Sequence, residues 1–338
     1  MKVALLLSGG IDSAYSAYLL QQQGYEVEGF YLKLHRDEKK HLENIQSVEN
    51  IGKHLNIKIH ILDAMELFEK EVYNYFISSY KNGFTPNPCT VCNPRMKFGF
   101  AFAKAVEMGF DKIASGHYAL SSDGYIKEAV DDTKDQSYFL FGLKKDVIEK
   151  ILFPLGGMYK SDVKKEAFEK LEWFSHPQTY KESQEICFVD NDYIDILKYH
   201  FDVNKTGNVR NSKGEIIGKH KGYMHYTVGK RRGFDVPLAK EPHYVLKIHP
   251  RQNSITVGLF DELAVSKIKA VNFSLDDGFV NGEYHIKARY KSQKTKAYVE
   301  KKGDLIYAKL HEPLFGVAKG QALVIYKDDL VLGGGFIA

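Results

Sequence analysis

Lys2-Val3-Ala4-Leu5-Leu6-Leu7-Ser8-Gly9-Gly10-Ile11-Asp12-Ser13 decides the fold class of this chain. A continuous apolar run of strand length breaks on Ser-Gly-Gly, and a helical pattern then continues to Gln23 and stops before Gly24. Glycines at such a turn let the backbone approach a ligand and aim several N–H groups at an anion. The helix that opens there adds a positive partial charge, and Ser8 and Ser13 can add hydroxyl donors. No Gly-Lys-Ser/Thr follows and no G-x-G-x-x-G is present, so neither the Walker loop nor the dinucleotide fingerprint applies. A plain tight turn with Asp12 as helix cap is the bland alternative.

Outward from this loop the pattern repeats. Val27 to Lys33, Lys58 to Asp63 and Lys112 to Ser115 read as strands, and helices are expected near Glu38 to Leu55, up to about Tyr80, and near Pro94 to Met108. Strands separated by helices of this length imply parallel β-α-β units in a doubly wound α/β sheet. Ligands on such sheets sit at the carboxyl ends of the strands, where both Ser8 to Ser13 and Gly116-His117 fall. Asn82 to Asn93 reads as a Pro- and Cys-containing loop. Periodicity changes near Asp190: one helical stretch (Tyr193 to Tyr199) and Gly-rich basic loops run to Arg251, and short alternating runs beyond it predict a small β-barrel. Three domains are expected: 1–190 for catalysis, 191–251 as a central basic domain, and 252–338 as the barrel.

With 338 residues, 44% apolar and 27% charged, the chain can bury two or three cores. No apolar run approaches the roughly 20 residues of a membrane span. The N-terminal residues lack a secretory pattern. A cytoplasmic protein with no membrane partner is expected. The net charge is only +4, yet 205–251 holds eleven Lys/Arg against three acids, an excess that suits phosphate contacts or a solvated basic face. Within it, Lys230, Arg231 and Arg232 flank glycines and suit backbone phosphates better than bases. The only cysteines are Cys89, Cys92 and Cys187, two of them in a C-x-x-C, which points to redox chemistry, sulfur transfer or a metal. In a loop just ahead of a helix, Cys89 and Cys92 would be favoured as thiolates.

Ser8-Gly9-Gly10-Ile11-Asp12-Ser13 resembles the signature of the PP-loop ATP pyrophosphatases (adenine nucleotide alpha hydrolase-like fold). Four further segments, in order, resemble the bacterial tRNA-specific 2-thiouridylase family along nearly the whole chain: Asn87-Pro88-Cys89-Thr90-Val91-Cys92-Asn93 with Lys97-Phe98; Gly116-His117-Tyr118; Lys134-Asp135-Gln136-Ser137-Tyr138-Phe139-Leu140; and Ser183-Gln184-Glu185-Ile186-Cys187-Phe188. Gly222 to Gly233, with His225-Tyr226-Thr227, resembles its central-domain motif.

The resemblance implies ATP-dependent 2-thiolation of the wobble uridine of tRNA, with ATP and Mg2+ as cofactors and a sulfur donor such as a cysteine desulfurase or sulfur-relay protein as partner. Cys187 would carry a persulfide and Cys92 would attack it, leaving a Cys92–Cys187 disulfide. ATP would meet Leu6, Leu7, Ser8, Gly9, Gly10, Ile11, Asp12, Ser13, Leu32 and Gly116. Asn87, Pro88 and Cys89 would line the extruded base, and His117, Lys134, Asp135, Gln136, Arg289, Tyr290 and Gln321 would touch tRNA. Many members carry Asp where this chain has Cys89, and Met where it has Leu32. With a third thiol at hand, either Cys89 is a spare thiol, or Cys89, Cys92 and Cys187 ligate a [4Fe-4S] cluster that delivers sulfide. Zinc is a third option, though a closed site needs a fourth ligand. The rival functions are another PP-loop ligase acting on a small molecule and a non-catalytic tRNA-binding or sulfur-carrier protein.

Overall fold

Apolar strands spaced by helices do build a parallel sheet in the computed structural model, which describes residues 1–174, 186–189, 191–237 and 240–338. In chain order the first half runs β1 (Lys2–Leu6), α1 (Ile11–Gln22), β2 (Glu26–Lys33), α2 (Glu38–Leu55), β3 (Ile59–Asp63), α3 (Met65–Phe68), α4 (Asn74–Lys81), α5 (Cys89–Cys92), α6 (Ala101–Glu107), β4 (Lys112–Ser115), β5 (Leu120–Ser122), β6 (Tyr125–Lys127), α7 (Lys145–Ile148), β7 (Ile151–Leu152) and α8 (Lys160–Lys170). The chain divides into two compact units: Met1–Val72 with Cys89–Cys187 and Asp328–Leu332, and Tyr73–Pro88 with Phe188–Lys327 and Gly333–Ala338.

In the first unit the strands lie in the order β3-β2-β1-β4-β7, all parallel. The chain winds from β1 outward to β3 and then crosses to the other side of β1, so a crevice opens at the carboxyl ends of β1 and β4. Val3 and Leu5 turn to one face and pack with Ile11, Ala14 and Tyr15 of α1, Val48 and Ile51 of α2 and Val163 and Ala167 of α8, all nearly inaccessible. On the other face Phe30 meets Phe110 edge-on. Each such buried side chain contributes about 1.5–3 kcal/mol of transfer free energy, which fixes the strand ends and hence the crevice.

The helix expected to start near Pro94 starts earlier. Cys89–Cys92 form a helical turn that continues as a π-helical stretch, Asn93–Phe100, into α6. Pro94 stands near the start of the π-helical stretch and, having no N–H, gives no helical bond there. The hairpin β5–β6 was not legible from the sequence: its strands are three residues each and its turn uses Asp123 and Gly124 at positive φ.

In the second unit, α9 (Tyr193–Leu197) is capped by Asp192, whose Oδ1 accepts from the Ile194 N–H at 3.0 Å. The stretch expected to be basic loops is largely sheet: β8 (Gly207–Arg210), β9 (Ile216–His220), β10 (Phe234–Asp235), β11 (Tyr244–His249) and β12 (Ser254–Gly258), in the order β10-β9-β8-β12-β11. β12 pairs with β8, so the boundary expected at 251 falls inside this sheet. Its core is Val209, Tyr226, Val245, Ile255 and Val257.

The expected barrel is present: β13 (Ala264–Leu275), β14 (Gly282–Lys287), β15 (Thr295–Lys302), β16 (Leu305–Phe315), β17 (Ala322–Lys327) and β18 (Leu330–Ile337), closed by β13 pairing with both β16 and β18. The long strand β13 escaped the sequence reading. Its alternation is broken where the register shifts between Val271 and Ser274 around Asn272, at φ 49°, an irregularity of the kind that curves a sheet to closure.

Candidate active site

At the end of β1, Gly9 takes φ 85°, and Gly10 precedes α1 in extended conformation. Positive φ is the conformation that glycine alone adopts without strain. Ser13 Oγ donates to Gly10 O at 2.8 Å and lies 3.3 Å from Ser8 Oγ, so both hydroxyls turn inward on the loop. Ser13 is buried and Ser8 exposed. Gly116 completes the crevice from the end of β4, and a Cβ there would come within 3.2–3.3 Å of the Asp12 and Ser13 backbone. Leu32, partly buried, lies near the end of β2. Of the expected nucleotide contacts, Leu6, Leu7 and Ile11 are buried core residues, so only their backbone could face a ligand.

Asp12 does not cap α1. Its carboxylate takes Lys160 Nζ at 2.6 Å on both oxygens and the Tyr118 hydroxyl at 3.0 Å on Oδ1. Lys160 was not singled out from the sequence, and no local signal there marks it.

His117 is buried. Lys97 Nζ lies 3.3 Å from Nε2 and Ser115 Oγ 2.7 Å from Nδ1. With the ammonium as donor, the ring proton sits on Nδ1. Burial first, and then the Lys97 charge, hold the imidazole well below its ordinary value, so His117 is neutral at physiological pH. Gln136 accepts from Tyr118 N through Oε1 at 3.0 Å, and its own N–H donates to Tyr118 O at 2.7 Å.

Asp135, expected to touch tRNA, is 3% exposed. Its carboxylate accepts from Ala129 N at 3.0 Å, Ser137 N at 3.2 Å and Ser137 Oγ at 2.9 Å. It is an internal fastener of the turn, because a buried carboxylate must spend its lone pairs on fixed donors.

All three cysteines carry thiols: Cys89 is partly buried, Cys92 buried and Cys187 exposed. The expectation of a low-pKa Cys92 fails. Burial pushes its thiol far up, Lys97 pulls the other way by less, and the nearby Cys187 and Cys89 add to the rise. Burial, and to a lesser degree Cys187, likewise raises the Tyr31 hydroxyl, one residue before Leu32. Ser183, Gln184 and Glu185 of the same motif lie outside the described residues.

Among the described residues no three His, Cys, Asp or Glu side chains converge to hold a metal ion. As placed here, Cys89, Cys92 and Cys187 do not make a ligand set for a cluster or for zinc.

Matches to known proteins extend over the whole chain. Three family models fit in succession: "tRNA methyl transferase HUP domain" over residues 1–191, "tRNA methyl transferase PRC-barrel domain" over 194–259 and "Aminomethyltransferase beta-barrel domain" over 260–337. The tRNA-specific 2-thiouridylase MnmA of Helicobacter hepaticus is 55% identical over 341 residues, covering 100% of this chain and 99% of that protein. The chain belongs to the tRNA-specific 2-thiouridylase family. Namesakes from Helicobacter acinonychis (53% identical, 100% of both chains) and Nitratiruptor sp. (47% identical, 99% of both) agree.

Other positions that the 2-thiouridylase resemblance assigned lie in the second unit. Asn87 is partly buried and Pro88 buried. Gln321, expected at tRNA, donates through Nε2 to Thr85 O at 2.8 Å, and Thr85 N donates to Lys319 O at 2.8 Å. Gln321 thus holds the segment that carries Asn87-Pro88. Arg289 is exposed and Tyr290 partly buried, just after β14. Lys230 Nζ donates to His225 O at 2.7 Å, which ties it to its own loop, whereas Arg231 and Arg232 are exposed and suited to phosphate. Lys134, back in the first unit, is partly buried.

Access and acidity order the thiols. With iodoacetamide, Cys187 is expected to alkylate first. Cys92 should lag at pH 7 and gain about tenfold in rate per pH unit up to pH 9, because a thiol below its pKa ionises in that proportion. Peptide mass spectrometry at several pH values checks this; equal labelling of Cys92 and Cys187 at pH 7 would contradict the burial argument.

Proposed function

We propose that this chain uses ATP to replace the C2 oxygen of the wobble uridine in tRNA with sulfur, as a tRNA-uridine 2-sulfurtransferase. One observation carries the reading. The glycine loop stands at the crevice of the parallel sheet, and the same unit carries a buried thiol, Cys92, and an exposed thiol, Cys187.

A carbonyl oxygen is a poor leaving group. The uracil O2 attacks the α-phosphorus of ATP, the bond to the bridging oxygen breaks, and pyrophosphate leaves with the electron pair. The loop N–H groups and the Ser8 and Ser13 hydroxyls suit that anion. Magnesium would come with the nucleotide and would shield its charge; Asp12, the loop's own carboxylate, is already engaged by Lys160 and Tyr118.

The terminal sulfur of a Cys187 persulfide then attacks C2 and AMP departs. Cys92 attacks Cys187 Sγ, breaking the S–S bond; the sulfur stays on the base, and an external dithiol reduces the resulting Cys92–Cys187 disulfide. The exposures suit these roles: a donor protein must reach the loading thiol, whereas the attacking thiol is better shielded from other electrophiles. The Lys97 ammonium, held beside His117 Nε2, can donate to an acceptor on a base edge, at the cost of a few kcal/mol to unstack that base.

The family models speak of methyl transfer, but a phosphate loop paired with two thiols serves adenylation and sulfur transfer. The test is pyrophosphate release from ATP by the full chain. Release should depend on tRNA carrying the wobble uridine and should fall to background with tRNA bearing cytidine there. Equal release with both RNAs, or with no RNA, would favour a small-molecule ligase; none at all would favour a non-catalytic binder.

A further inference from the structure

The phosphate loop contains a carboxylate, Asp12, which by itself would repel a triphosphate. The structure neutralises it with a residue 148 positions away: Lys160 Nζ sits 2.6 Å from both Asp12 oxygens, with the lysine side chain 12% exposed. Three further contacts fix this lysine. Its backbone N–H donates to Asp131 Oδ2 at 2.9 Å, its ammonium lies 5.5 Å from the centroid of the Tyr118 ring, and the Tyr118 hydroxyl locks the same Asp12 carboxylate. Asp131 is itself prepared for the task. Burial works against its ionisation, but the Thr133 hydroxyl and N–H and the Lys160 N–H outweigh it, so the carboxyl stays below the usual range.

We propose that Lys160 is a phosphate-binding residue of the nucleotide site, supplying the positive charge that the Ser8–Ser13 loop lacks. The assignment rests on the ATP-using reading above. Every other donor of the loop is neutral, a backbone N–H or a serine hydroxyl. An ammonium has three N–H donors, and the Asp12 carboxylate takes two. The third has no acceptor among the described residues and is held beside the loop. Asp12 thus keeps the cation placed beside the loop, while Tyr118 keeps Asp12 from turning toward the ligand. When the bond between the α-phosphorus and the bridging oxygen breaks, the electron pair moves onto pyrophosphate, and a fixed cation gains most at that moment. A purely structural pairing of α8 to α1 is less economical, because Tyr15 OH already donates to Glu166 Oε2 between the same two helices.

The experiment compares equilibrium binding of ATP with magnesium, and of AMP alone, to the full chain and to Lys160→Met. AMP lacks the β- and γ-phosphates, so it reports the integrity of the pocket without the proposed contact. Lys160→Met should lose about thirtyfold in ATP affinity and less than about twofold in AMP affinity. Lys160→Arg, which keeps the charge, should recover most of the ATP affinity. Equal losses for ATP and AMP, or an ATP affinity unchanged in a folded variant, would overturn the assignment. If Lys160→Met does not fold, Lys160→Gln is read by the same ATP-to-AMP ratio. If the unmodified chain binds no ATP, the ATP-using reading fails instead, and that outcome is distinct from either.

Discussion

Cys187→Ser is expected to make no thiouridine. A serine hydroxyl cannot carry a persulfide, and no other exposed cysteine exists to take its place: Cys92 is buried and Cys89 partly so. The expected loss of thiolated product is about a thousandfold or more, the scale for removing a covalent nucleophile. Because Cys187 lies outside the loop that would bind phosphate, tRNA affinity and tRNA-dependent pyrophosphate release should stay within about twofold. Mass spectrometry of nucleosides from incubated tRNA, alongside a pyrophosphate assay, measures both. Thiolation by the serine variant would end the assignment of Cys187 as sulfur carrier. Iron and acid-labile sulfide measured after anaerobic purification bear on the cluster alternative. Stoichiometric amounts that vanish with Cys89→Asp would replace the persulfide route, and background levels would leave it standing.

Asp135→Ala should destabilise the first unit by about 3–5 kcal/mol, because it strips the acceptor from two backbone N–H groups and one hydroxyl inside the protein. At about 2–4 °C per kcal/mol, the melting temperature falls by roughly 6–20 °C. The folded fraction should bind tRNA as before, since a side chain 3% exposed has no surface to offer. Lys134→Ala should behave in the opposite way, with little change in melting and weaker tRNA binding that is most evident at low salt. Thermal melts with filter binding at two salt concentrations separate the two. A stable Asp135→Ala protein with impaired tRNA binding would restore the RNA-contact reading of the whole Lys134-Asp135-Gln136 run.

These two residues show where sequence reading of a motif stops. Cys187 stands in its segment as a chemically singular side chain, and a thiol beside an ATP loop has few roles. Asp135 stands in an equally distinctive run, but a carboxylate serves a turn as readily as it serves a ligand. Only burial separates the two uses. The same holds for Gln321, whose amide holds the Thr85 backbone. It holds for Cys92 too, whose thiol was expected to be acidified by a helix end and is instead driven up by burial within the helix itself.

Local patterns settled the rest of the fold unevenly. Strands buried on both faces and helices of three or more turns announce themselves through long apolar runs and the 3.6 period. Short curved elements do not. β8 and β9 were hidden by their lysines and glycines, and β13 by the left-handed Asn272 that breaks its alternation.

From the sequence alone came the alternating strands and helices, the glycine turn at the end of β1, the closing barrel and the three thiols. These depend on residue type and on spacing within a few dozen positions. The tertiary structure alone decided that Lys160 reaches Asp12 across 148 residues, that Asp135 faces inward, and that Cys92 is buried while Cys187 is exposed. Such pairings are set by how helices pack on a sheet, and no local pattern carries that information. Burial then determines which polar groups are acidic, which are neutral and which are spent on holding the chain.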